Sequence, residues 1–533
     1  MIKKGLVVGV IFLFIGTCMI LATAEDTKKS QSTSREEWLY VGGSGPGNYT
    51  KIQDAIDNSS DGDTVFVYND SSPFYENVFI NKSIKLIGEN KINTIVDGRR
   101  KRDVIKIVAS NVSVQNFSIN NSGEFYPNSG IKIYEEINNI TIQNTIIKNN
   151  LIGISLGEEY YHNNIKHIKI VDNLIQNNRF GVLLFGSYEN IISNNIFINN
   201  GIYIRYAYTR DNTVSHNTIN GLPLLYLEKQ SNTKIQTDAG QIILVLCDNI
   251  TVSDQSLDKE CWACIELIES TNCSIVSNYI SNKSYGIFSL NSEYNTIQKN
   301  FMKNVSLGIY LDNSDRHTIL FNTMNNTLDS IHLLDSNCNT VSHNSLTNSR
   351  NGIDLSYSSD NWILNNNITF ARDHGIDLFF SCNRNHICNN TIENCWDAGI
   401  YILGSSKIWW DLASIKNVIS GNNLKNNEWG ILLEKAALTT VTSNTISRNY
   451  YGIEVISAKY NKISFNNIFE NIAEDAIFKN SLSSRFDSNF WNDTRQLHKI
   501  KGGICFYNYW SETYEEILPM IRFDWHPAKN PYL

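Results

Sequence analysis

The chain alternates apolar and polar residues for only three or four positions before Asn, Gly or Ser interrupts the alternation. The segments 317–324 and 339–346 show the pattern, which is approximately Asn-x-Ile-x-x-Asn-x-Ile, then about six residues, then Gly-Ile-x-Leu, with His, Val, Met, Leu or Ser replacing single positions. A helix would instead need apolar residues at positions i, i+3, i+4 and i+7. The pattern therefore predicts three short β-strands in each unit.

This unit recurs along most of the chain. Gly-Ile or a close variant returns at intervals of 22 to 31 residues from Gly286 to Ala476, and the same mark occurs upstream between Gly130 and Gly201. One unit cannot bury its apolar face alone, whereas stacked units enclose a continuous column of Ile, Leu and Val. We therefore predict an all-β, right-handed parallel β-helix, the hand following from the general bias of crossovers between parallel strands.

Asparagines recur at one bend of each predicted coil. Stacked roughly 4.8 Å apart, their amides can hydrogen-bond from coil to coil as a ladder. This column is predicted to be structural rather than catalytic. Its expected members are Asn144, Asn173, Asn195, Asn217, Asn278, Asn300, Asn322, Asn344, Asn366, Asn390, Asn422, Asn444 and Asn466.

The N-terminal segment has the features of a targeting signal. Lys3 and Lys4 precede an apolar run, and Ala22-Thr-Ala24 provides a small-residue cleavage site. Residues 1–24 are therefore interpreted as a signal peptide, with an uncleaved membrane anchor as the alternative because the run approaches the length of a bilayer span. The expected location is extracytoplasmic, either secreted or at the cell surface.

Both ends of a β-helix expose strand edges and require covers. A polar linker is predicted over residues 25–39 and the β-helix over 40–482. A capping box at Thr50-Lys-Ile-Gln53 is expected to open a short amphipathic helix that closes the first coil. Residues 483–533 are expected to form a C-terminal cap. The tryptophans assigned to this cap are Trp491, Trp510 and Trp525.

Charge and cysteine content limit the classes of partner and of metal site that the chain can have. A formal net charge of -8 without a basic patch argues against a nucleic-acid partner. Nine cysteines follow residue 24, an odd number, so at least one thiol is free or pairs with another molecule. The single C-x-x-C, Cys261-Trp-Ala-Cys264, lacks the second pair that would favour zinc. The residues alone predict neither a metal site nor a cofactor.

Several segments near the start of the predicted β-helix resemble the opening of NosD-like proteins. These are extracytoplasmic proteins with pectin-lyase-type β-helix repeats, grouped with carbohydrate-binding proteins and sugar hydrolases. The resemblance covers about residues 40 to 480 and implies the same fold. The segments that carry it are Tyr40-Val-Gly-Gly43, Ile52-Gln-Asp-Ala-Ile56, Gly62-Asp-Thr-Val-Phe-Val67, Tyr75-Glu-Asn-Val78 and Ile84-Lys-Leu-Ile-Gly88.

The resemblance implies less about function than about fold. Some members of the family are implicated in supplying copper to a nitrous oxide reductase, so copper is a cofactor implied by the resemblance only. Many relatives, especially archaeal ones, are surface proteins, and the closing segment Phe523–Tyr532 is similar to tails of such relatives.

The outward residue x of Gly-Ile-x-Leu forms a row of candidate site residues. Ile and Leu point into the core of the coil, so x points out. Asp354 and Asp377 occupy this position in successive coils, about 5 Å apart, and two carboxyl groups at that spacing disfavour double ionisation and resemble the pair of retaining glycosidases. His332 lies one coil earlier and completes the candidate catalytic set. Because outward strand positions are ordinarily polar, a solvated face is the first interpretation, sugar binding without turnover the second, and catalysis the third.

Aromatic residues near this row are candidates for stacking on sugar rings. Tyr310 and Tyr401 occupy the same outward position, before His332 and after Asp377. Two units of 28 and 31 residues are longer than the rest, and their insertions are expected to leave the same flank of the cylinder. The aromatic residues in these insertions are Tyr160, Tyr161, Trp409 and Trp410.

Three functions remain from the sequence. The first is a secreted or cell-surface β-helix that binds polysaccharide or serves as a surface interaction scaffold. The second is a polysaccharide lyase, hydrolase or epimerase that uses the outward carboxylates, although the sequence contains none of the usual signatures of those enzymes. The third is a copper-handling accessory protein. We expect binding without turnover, a polysaccharide or surface glycan as partner, no nucleic acid, and no membrane span beyond the N-terminal segment.

Overall fold

Coils of three short parallel strands stack into a right-handed β-helix of about 20 turns, which confirms the fold predicted from the repeat. The computed structural model describes residues 36–134, 136–158, 165–258, 261–404, 414–481, 483–492, 498–508, 513–524 and 526–532. The proposed signal peptide and the linker up to residue 35 lie outside this range. Among the described residues no helix has both the length and the apolar character needed to cross a membrane.

We call the three strands of a coil first, second and third in chain order, the third being the Gly-Ile-x-Leu strand. The first strands form two sheets, one of eight and one of 12 strands. Their bounds are Trp38–Val41, Thr64–Val67, Lys85–Gly88, Ser113–Gln115, Asn138–Gln143, Lys166–Val171, Ile191–Ser193 and Thr213–Ser215 in the first sheet, and Lys234–Ile235, Thr251–Ser253, Ser274–Val276, Thr296–Gln298, Thr318–Leu320, Thr340–Ser342, Trp362–Leu364, His386–Cys388, Val418–Ser420, Thr440–Thr442, Lys462–Ser464 and Arg485–Asp487 in the second.

The second strands are short and follow the asparagine bend. In three neighbouring coils the second and third strands merge into one element of 12 residues, namely Tyr279–Leu290, Phe301–Asp312 and Thr323–Leu334. The separate second strands are Ile95–Asp97, Ser118–Asn120, Ile146–Lys148, Leu174–Gln176, Ile196–Ile198, Thr218–Ile219, Ser256–Leu257, Ser345–Thr347, Asn367–Thr369, Thr391–Glu393, Asn423–Lys425, Thr445–Ser447, Asn467–Phe469 and Phe490–Trp491.

The third strands carry the candidate site. Their inward Ile and Leu, such as Ile353 and Leu355, are fully buried in the core that runs along the axis of the coils. The separate third strands are Val78–Ile80, Ile105–Ile107, Ser129–Ile133, Ile152–Leu156, Phe180–Leu184, Ile202–Ile204, Leu222–Glu228, Gln241–Val245, Ala263–Ile268, Asn351–Ser356, Ile376–Phe379, Ala398–Leu403, Trp429–Glu434, Tyr451–Ile456 and Glu474–Lys479.

The repeated glycine of the third strand is explained by close packing between coils. A Cβ atom on Gly352 would lie 2.5 Å from the carbonyl oxygen of Gly375, and a Cβ on Gly375 would lie 2.6 Å from that of Gly399. Both distances are shorter than any ordinary contact, so a side chain would push neighbouring coils apart. The repeated glycine therefore reflects the close approach of the backbones of neighbouring coils as well as the repeat itself.

The asparagine ladder is present as predicted from Asn173 to Asn217 and from Asn278 to Asn466. In a typical rung, Asn344 Nδ2 donates to Asn366 Oδ1 at 2.9 Å and to the Ile319 carbonyl at 3.0 Å. The assignment of Asn144 to this ladder was wrong by one residue. Its neighbour Thr145 occupies the ladder position, where its backbone N–H donates to Asn173 Oδ1 at 3.0 Å.

Removing one rung tests the structural role of the ladder. We expect Asn344→Ala to lower the free energy of unfolding by about 2–3 kcal/mol, because it removes the side chain that pairs with the buried Ile319 carbonyl and the buried backbone N–H of Asn322. The exposed Asn326 also bonds to an asparagine of the preceding coil, but in solvent, so Asn326→Ala should change stability by no more than about 0.5 kcal/mol. Denaturant unfolding compares the two. Equal losses of stability would show that a buried rung of the ladder stabilises the fold no more than an exposed asparagine pair does.

A short helix, Ile52–Asn58, closes the first coil and buries Ile52, Ala55 and Ile56. The amphipathic prediction is therefore confirmed, but the predicted capping box is wrong. The N-cap residue is Lys51 and makes no side-chain cap. Instead, the Glu76 carboxylate accepts hydrogen bonds from the backbone N–H groups of Ile52 and Gln53 at 2.9 and 3.0 Å. A carboxylate at a helix N-terminus satisfies free N–H groups and complements the helix dipole.

The C-terminal end is closed by an antiparallel hairpin of the strands His498–Asn508 and Thr513–Asp524. Its buried Asp524 accepts a hydrogen bond from Trp491 Nε1 at 3.0 Å. The same carboxylate accepts from Asn489 Nδ2 at 3.0 Å, and so terminates the asparagine ladder. Trp510 and Trp525, also assigned to the cap, lie outside the described residues.

The third-strand sheet is interrupted after Ile202–Ile204. The chain turns back in a small antiparallel pairing of Thr218–Ile219 with Leu222–Pro223, and the next third strands belong to a different sheet. Two side chains bridge the break. Gln241 bonds to the N–H and carbonyl of Ile202 at 3.1 and 2.6 Å, and Glu266 Oε2 accepts from the Ile204 N–H at 3.0 Å. Glu266 is fully buried, and burial raises the pKa of its carboxyl well above the ordinary range.

Candidate functional site

The outward row of the third strands has the register expected from the sequence. Tyr310 pairs with His332, His332 with Asp354, Asp354 with Asp377, and Asp377 with Tyr401. We call these five residues the central row. The structure thus brings together the three candidate catalytic residues and two of the candidate binding residues.

The first interpretation of this row, a solvated strand face, is wrong for the two aspartates. Asp354 and Asp377 are each only 8 % exposed. Each side chain is flanked by the row members of the coils above and below, roughly 4.8 Å away, and these neighbours exclude water. Within the described part of the chain, one oxygen of each carboxyl group, Oδ1, is buried without a hydrogen-bond partner.

Burial has a strong effect on Asp377. It raises the pKa of this carboxyl well above the ordinary value, and the negative charges of Asp354, Asp373 and Asp329 raise it further. Asp377 therefore holds a proton at a pH where an exposed aspartate is ionised. The pair of Asp354 and Asp377 combines a carboxylic acid with a neighbouring carboxyl group on the next strand.

His332 supplies positive charge beside the pair. Its Nδ1 lies 3.3 Å from Asp354 Oδ2. Burial alone would lower the pKa of His332, but the carboxylates of Asp354 and Asp329 outweigh burial and raise it. Asp329 is buried next to His332 and accepts hydrogen bonds from Arg350 Nη2 at 3.1 and 3.0 Å. The pKa of Asp329 is nevertheless raised, because burial exceeds the effect of Arg350.

A second group of titratable side chains adjoins Asp377. His374 lies three residues earlier, with its Nε2 3.5 Å from Asp373 Oδ1 and its Nδ1 3.8 Å from Asp397 Oδ1. The Ala398 N–H points at His374 Nδ1 at 3.4 Å, which favours the tautomer with its proton on Nε2. Burial raises the pKa of the Asp397 carboxyl.

The two tyrosines at the ends of the row lie in different surroundings. Tyr310 is only 7 % exposed because its ring stacks on Tyr285 and Phe288 at centroid distances of 5.6 and 5.5 Å. Its faces are thus covered by protein. Tyr401 is half-buried, lies 4.7 Å from the His374 ring, and donates its hydroxyl hydrogen bond to Glu434 Oε2 at 3.0 Å. Of the two, Tyr401 has the more accessible ring.

Sequence reasoning missed part of this site. Asp329 and Asp397 were not singled out, although Asp329 lies three residues before the row position, where His374 also lies. The signal was therefore present in the register of the repeat. The other four candidate binding residues, Tyr160, Tyr161, Trp409 and Trp410, lie outside the described residues, so their roles stay predictions.

Two groups of side chains have the donor set of a metal site. Ligand atoms of Asp329, His332 and Asp354 lie within 4.8 Å of one another, as do those of Asp373, His374 and Asp397. Each group offers one imidazole and two carboxylates, which suit a divalent ion such as Cu(II) better than the soft ion Cu(I). The histidines that neighbour His332 in sequence take no part. His317 is buried against Ser289 at 2.8 Å, and His343 packs on the Phe321 ring at 5.0 Å.

The model of a family described as "Periplasmic copper-binding protein (NosD)" matches residues 56–239, 247–410 and 411–517. The chain belongs to the NosD family. This agrees with the resemblance found in its opening segments. None of the curated proteins matches the chain.

Solved structures similar to this NosD-family chain share its β-helix fold. The mannuronan C-5 epimerase AlgE4 A-module of Azotobacter vinelandii is 10 % identical, with a TM-score of 0.29 over 74 % of this chain and 89 % of that one. A PL6 alginate lyase in complex with trisaccharide is 12 % identical, with a TM-score of 0.30 over 91 % and 92 %. The periplasmic alginate epimerase AlgG is 12 % identical, with a TM-score of 0.28 over 71 % and 78 %. This similarity concerns the fold alone.

The buried proton of Asp377 gives a prediction for stability. A carboxyl whose pKa is raised by folding loses stability as pH rises from the unfolded value of 3.8 towards the raised folded value. Asp377→Asn should therefore be more stable than wild type at pH 7, by about 1 kcal/mol or more, and no more stable near pH 4. Thermal unfolding at both pH values measures the difference.

Asp172 provides the matched control for this prediction, because it is exposed on a first-strand bend. Asp172→Asn should leave stability unchanged at both pH values. An Asp377→Asn variant that is destabilised at pH 7 would mean that the carboxylate, and not the acid, is the favoured form in the folded protein.

Proposed function

We propose that this protein acts outside the cytoplasm on a polysaccharide that binds along the third-strand face. The observation that carries the proposal is the pair of Asp354 and Asp377. They lie on adjacent strands in register, nearly buried, and each has an oxygen without a partner among the described residues. Buried polar atoms ordinarily find partners, so unpartnered ones on a strand face point to a ligand.

The environments of the two carboxyl groups assign their roles. Asp377 holds a proton and is suited to act as general acid, donating that proton to the glycosidic oxygen as the bond to the leaving sugar breaks. Asp354 lies beside the positive charge of His332 and acts as the carboxylate that attacks the anomeric carbon. Neighbouring strands are about 4.8 Å apart, close to the roughly 5–5.5 Å between the carboxyl groups of retaining glycosidases.

The surroundings of the two carboxyl groups therefore support turnover more strongly than the sequence alone does. Binding without turnover was the expectation when the row was interpreted as an ordinary outward strand face. The raised pKa of Asp377 favours acid–base chemistry, because a proton held where an exposed aspartate is ionised is costly for folding and useful for catalysis. Tyr401 contributes the more accessible ring for contact with a sugar at one end of the row.

The proposal is tested by incubating the full chain with neutral and uronate-containing polysaccharides and measuring new reducing ends. Wild type and Asp172→Asn should cleave at least one polymer, whereas Asp377→Asn and Asp354→Asn should cleave it at least about 10²-fold more slowly. Nuclear magnetic resonance of the first product should show retention of the anomeric configuration. Product with an unsaturated sugar would instead indicate a lyase. Equal rates for wild type and both site variants would remove this face from the chemistry.

Copper binding is a second candidate, favoured by the group of Asp329, His332 and Asp354. The family description names copper, and these residues would hold Cu(II) through one imidazole and two carboxylates. The ion would be cargo bound for delivery rather than part of the acid–base chemistry. In a calorimetric Cu(II) titration, His332→Ala should weaken binding at least about tenfold while His343→Ala should not. Unchanged affinity in His332→Ala would exclude this group as the copper site.

A further inference from the structure

A groove follows the corner between the second and third strands, on the flank of the coils that precedes the central row. Its largest part has a volume of about 650 Å³. The residues that line it come from several coils and lie at positions 177–179, 199, 261–262, 282–284 and 304. Exposed asparagine amides recur along this corner and bond from coil to coil, as between Asn304 and Asn282 at 3.1 Å. The corner therefore offers a line of hydrogen-bonding groups parallel to the axis of the β-helix.

Two buried donors in this groove have no hydrogen-bond partner within the described part of the chain. The Lys283 side chain is 94 % buried and its ammonium nitrogen is unpartnered, as is the indole Nε1 of Trp262. Burying an ammonium group without a partner is costly. The fold does not require a cation at this position, because Lys283 pairs with Val305 in the next coil, and Val305 pairs with Thr327.

A third donor is held beside these two. The Arg179 guanidinium lies 4.8 Å from the centroid of the Trp262 ring, so its planar side chain is stacked and oriented on the indole. Arg179, Trp262 and Lys283 line the same groove. Guanidinium, ammonium and indole N–H groups are all donors without acceptor capacity, so their common ligand must supply acceptor oxygens and negative charge.

The positive charge continues along the corner. The neighbouring part of the groove on the C-terminal side contains Lys303 and Arg372, whereas Arg100 on the N-terminal side is paired with Glu124 at 2.8 Å. The chain as a whole has a net charge of -8. A cationic corner on an acidic protein, repeated over several coils, is suited to an extended anionic chain rather than to one small ion.

We infer that this corner binds an acidic polysaccharide and that Lys283, Trp262 and Arg179 hold the oxyanion of one sugar residue. The asparagine amides can both donate hydrogen bonds to sugar hydroxyl groups and accept hydrogen bonds from them. A nucleic-acid backbone carries fewer hydroxyl groups per unit length than a polysaccharide. This binding preference specifies the substrate class of the proposed function. It rests on the proposed function only in taking the anionic ligand to be a polysaccharide. The oxyanion is a carboxylate or a sulfate, two groups with the same recognition chemistry.

Calorimetry with the full chain tests the inference, using an oligogalacturonate, a sulfated oligosaccharide and a neutral cello-oligosaccharide of equal length. The acidic oligomers should bind at least about tenfold more tightly than the neutral one, and added salt should weaken them. The tighter of the two identifies the oxyanion. Lys283→Met should lower that affinity by at least about tenfold, and Trp262→Phe should lower it less, because only one donor is lost.

Controls separate this groove from the central row and from folding. Lys299 is exposed and lies outside the groove, so Lys299→Met should keep the affinity. Lys283→Met should unfold at the same or a higher temperature, since it removes a buried charge without a protein partner. Asp172→Asn should bind the acidic oligomer like wild type, and because calorimetry needs no turnover, a chain that cleaves nothing can still confirm the groove. Equal affinity of Lys283→Met and wild type, or a neutral oligomer binding as tightly, would overturn the inference. An oligonucleotide that binds as tightly would overturn the assignment to polysaccharide.

Discussion

Replacing Glu266 with alanine is expected to lower the free energy of unfolding by about 2–5 kcal/mol, because the fully buried side chain leaves a cavity and the Ile204 N–H loses its acceptor. Glu266 Oε2 accepts from the Ile204 N–H at 3.0 Å. Gln241 Nε2 donates to Oε1 at 3.1 Å, but it also donates to the carbonyls of Ile202 and Ala263 and keeps these acceptors. The Ile204 N–H lies where the third-strand sheet is interrupted, so no strand of the described residues replaces the lost acceptor. The denaturant midpoint of unfolding measures the effect.

Two variants bracket this prediction. Glu266→Gln keeps the shape and one acceptor but turns an amide towards Gln241, so its loss should be smaller than that of Glu266→Ala. Glu124 pairs with Arg100 in solvent, with both side chains more than half exposed, and Glu124→Ala should therefore change stability by no more than about 0.5 kcal/mol. A Glu266→Ala midpoint equal to that of Glu124→Ala would show that other contacts hold the interrupted sheet together.

The second large effect is expected in turnover. Asp377→Asn should lower the rate of polysaccharide cleavage by about 10²–10⁴-fold, the usual contribution of a general acid. The same substitution is expected to stabilise the folded chain at neutral pH. Opposite effects on rate and stability are typical of a group that is retained for chemistry rather than for folding. A loss of both would instead indicate a structural residue.

Asp354→Asn completes this comparison. It should lower the rate by a similar or larger factor, because it removes the attacking carboxylate while keeping the size of the side chain. Initial rates are measured as reducing ends released from the polymer that wild type cleaves. Asp172→Asn serves as the control and should match wild type. A rate for Asp354→Asn close to wild type would assign Asp354 to the hydrogen-bonding of His332 alone.

The fold could be predicted because the sequence features that specify it are local and repeat along the chain. Each unit of about 22 residues specifies three strands, one asparagine rung and one glycine, and the constant spacing also sets the register between coils. That register placed Tyr310, His332, Asp354, Asp377 and Tyr401 in one row, as the structure has them. The slip from Thr145 to Asn144 arose where two adjacent residues fit the same bend.

The burial of the row was not predictable in the same way. Alternation along one strand says that Asp354 and Asp377 point out of the core, but their exposure depends on side chains of other coils. Residues three positions before the row, such as Asp329 and His374, gather around it because the strand register aligns them. The role of Glu266 was equally hidden, since it appears only where the repeat is interrupted.

The most direct test of the central claim, that Asp377 donates a proton to a bound polysaccharide, is the pH dependence of the initial rate of cleavage. The account predicts that wild type stays active well above pH 3.8, the ordinary aspartate pKa, and loses activity only as pH passes the raised pKa of Asp377. Asp377→Asn should lack that loss at high pH. A wild-type rate that falls already around pH 3.8 to 5, or a profile shared by both proteins, would contradict the account.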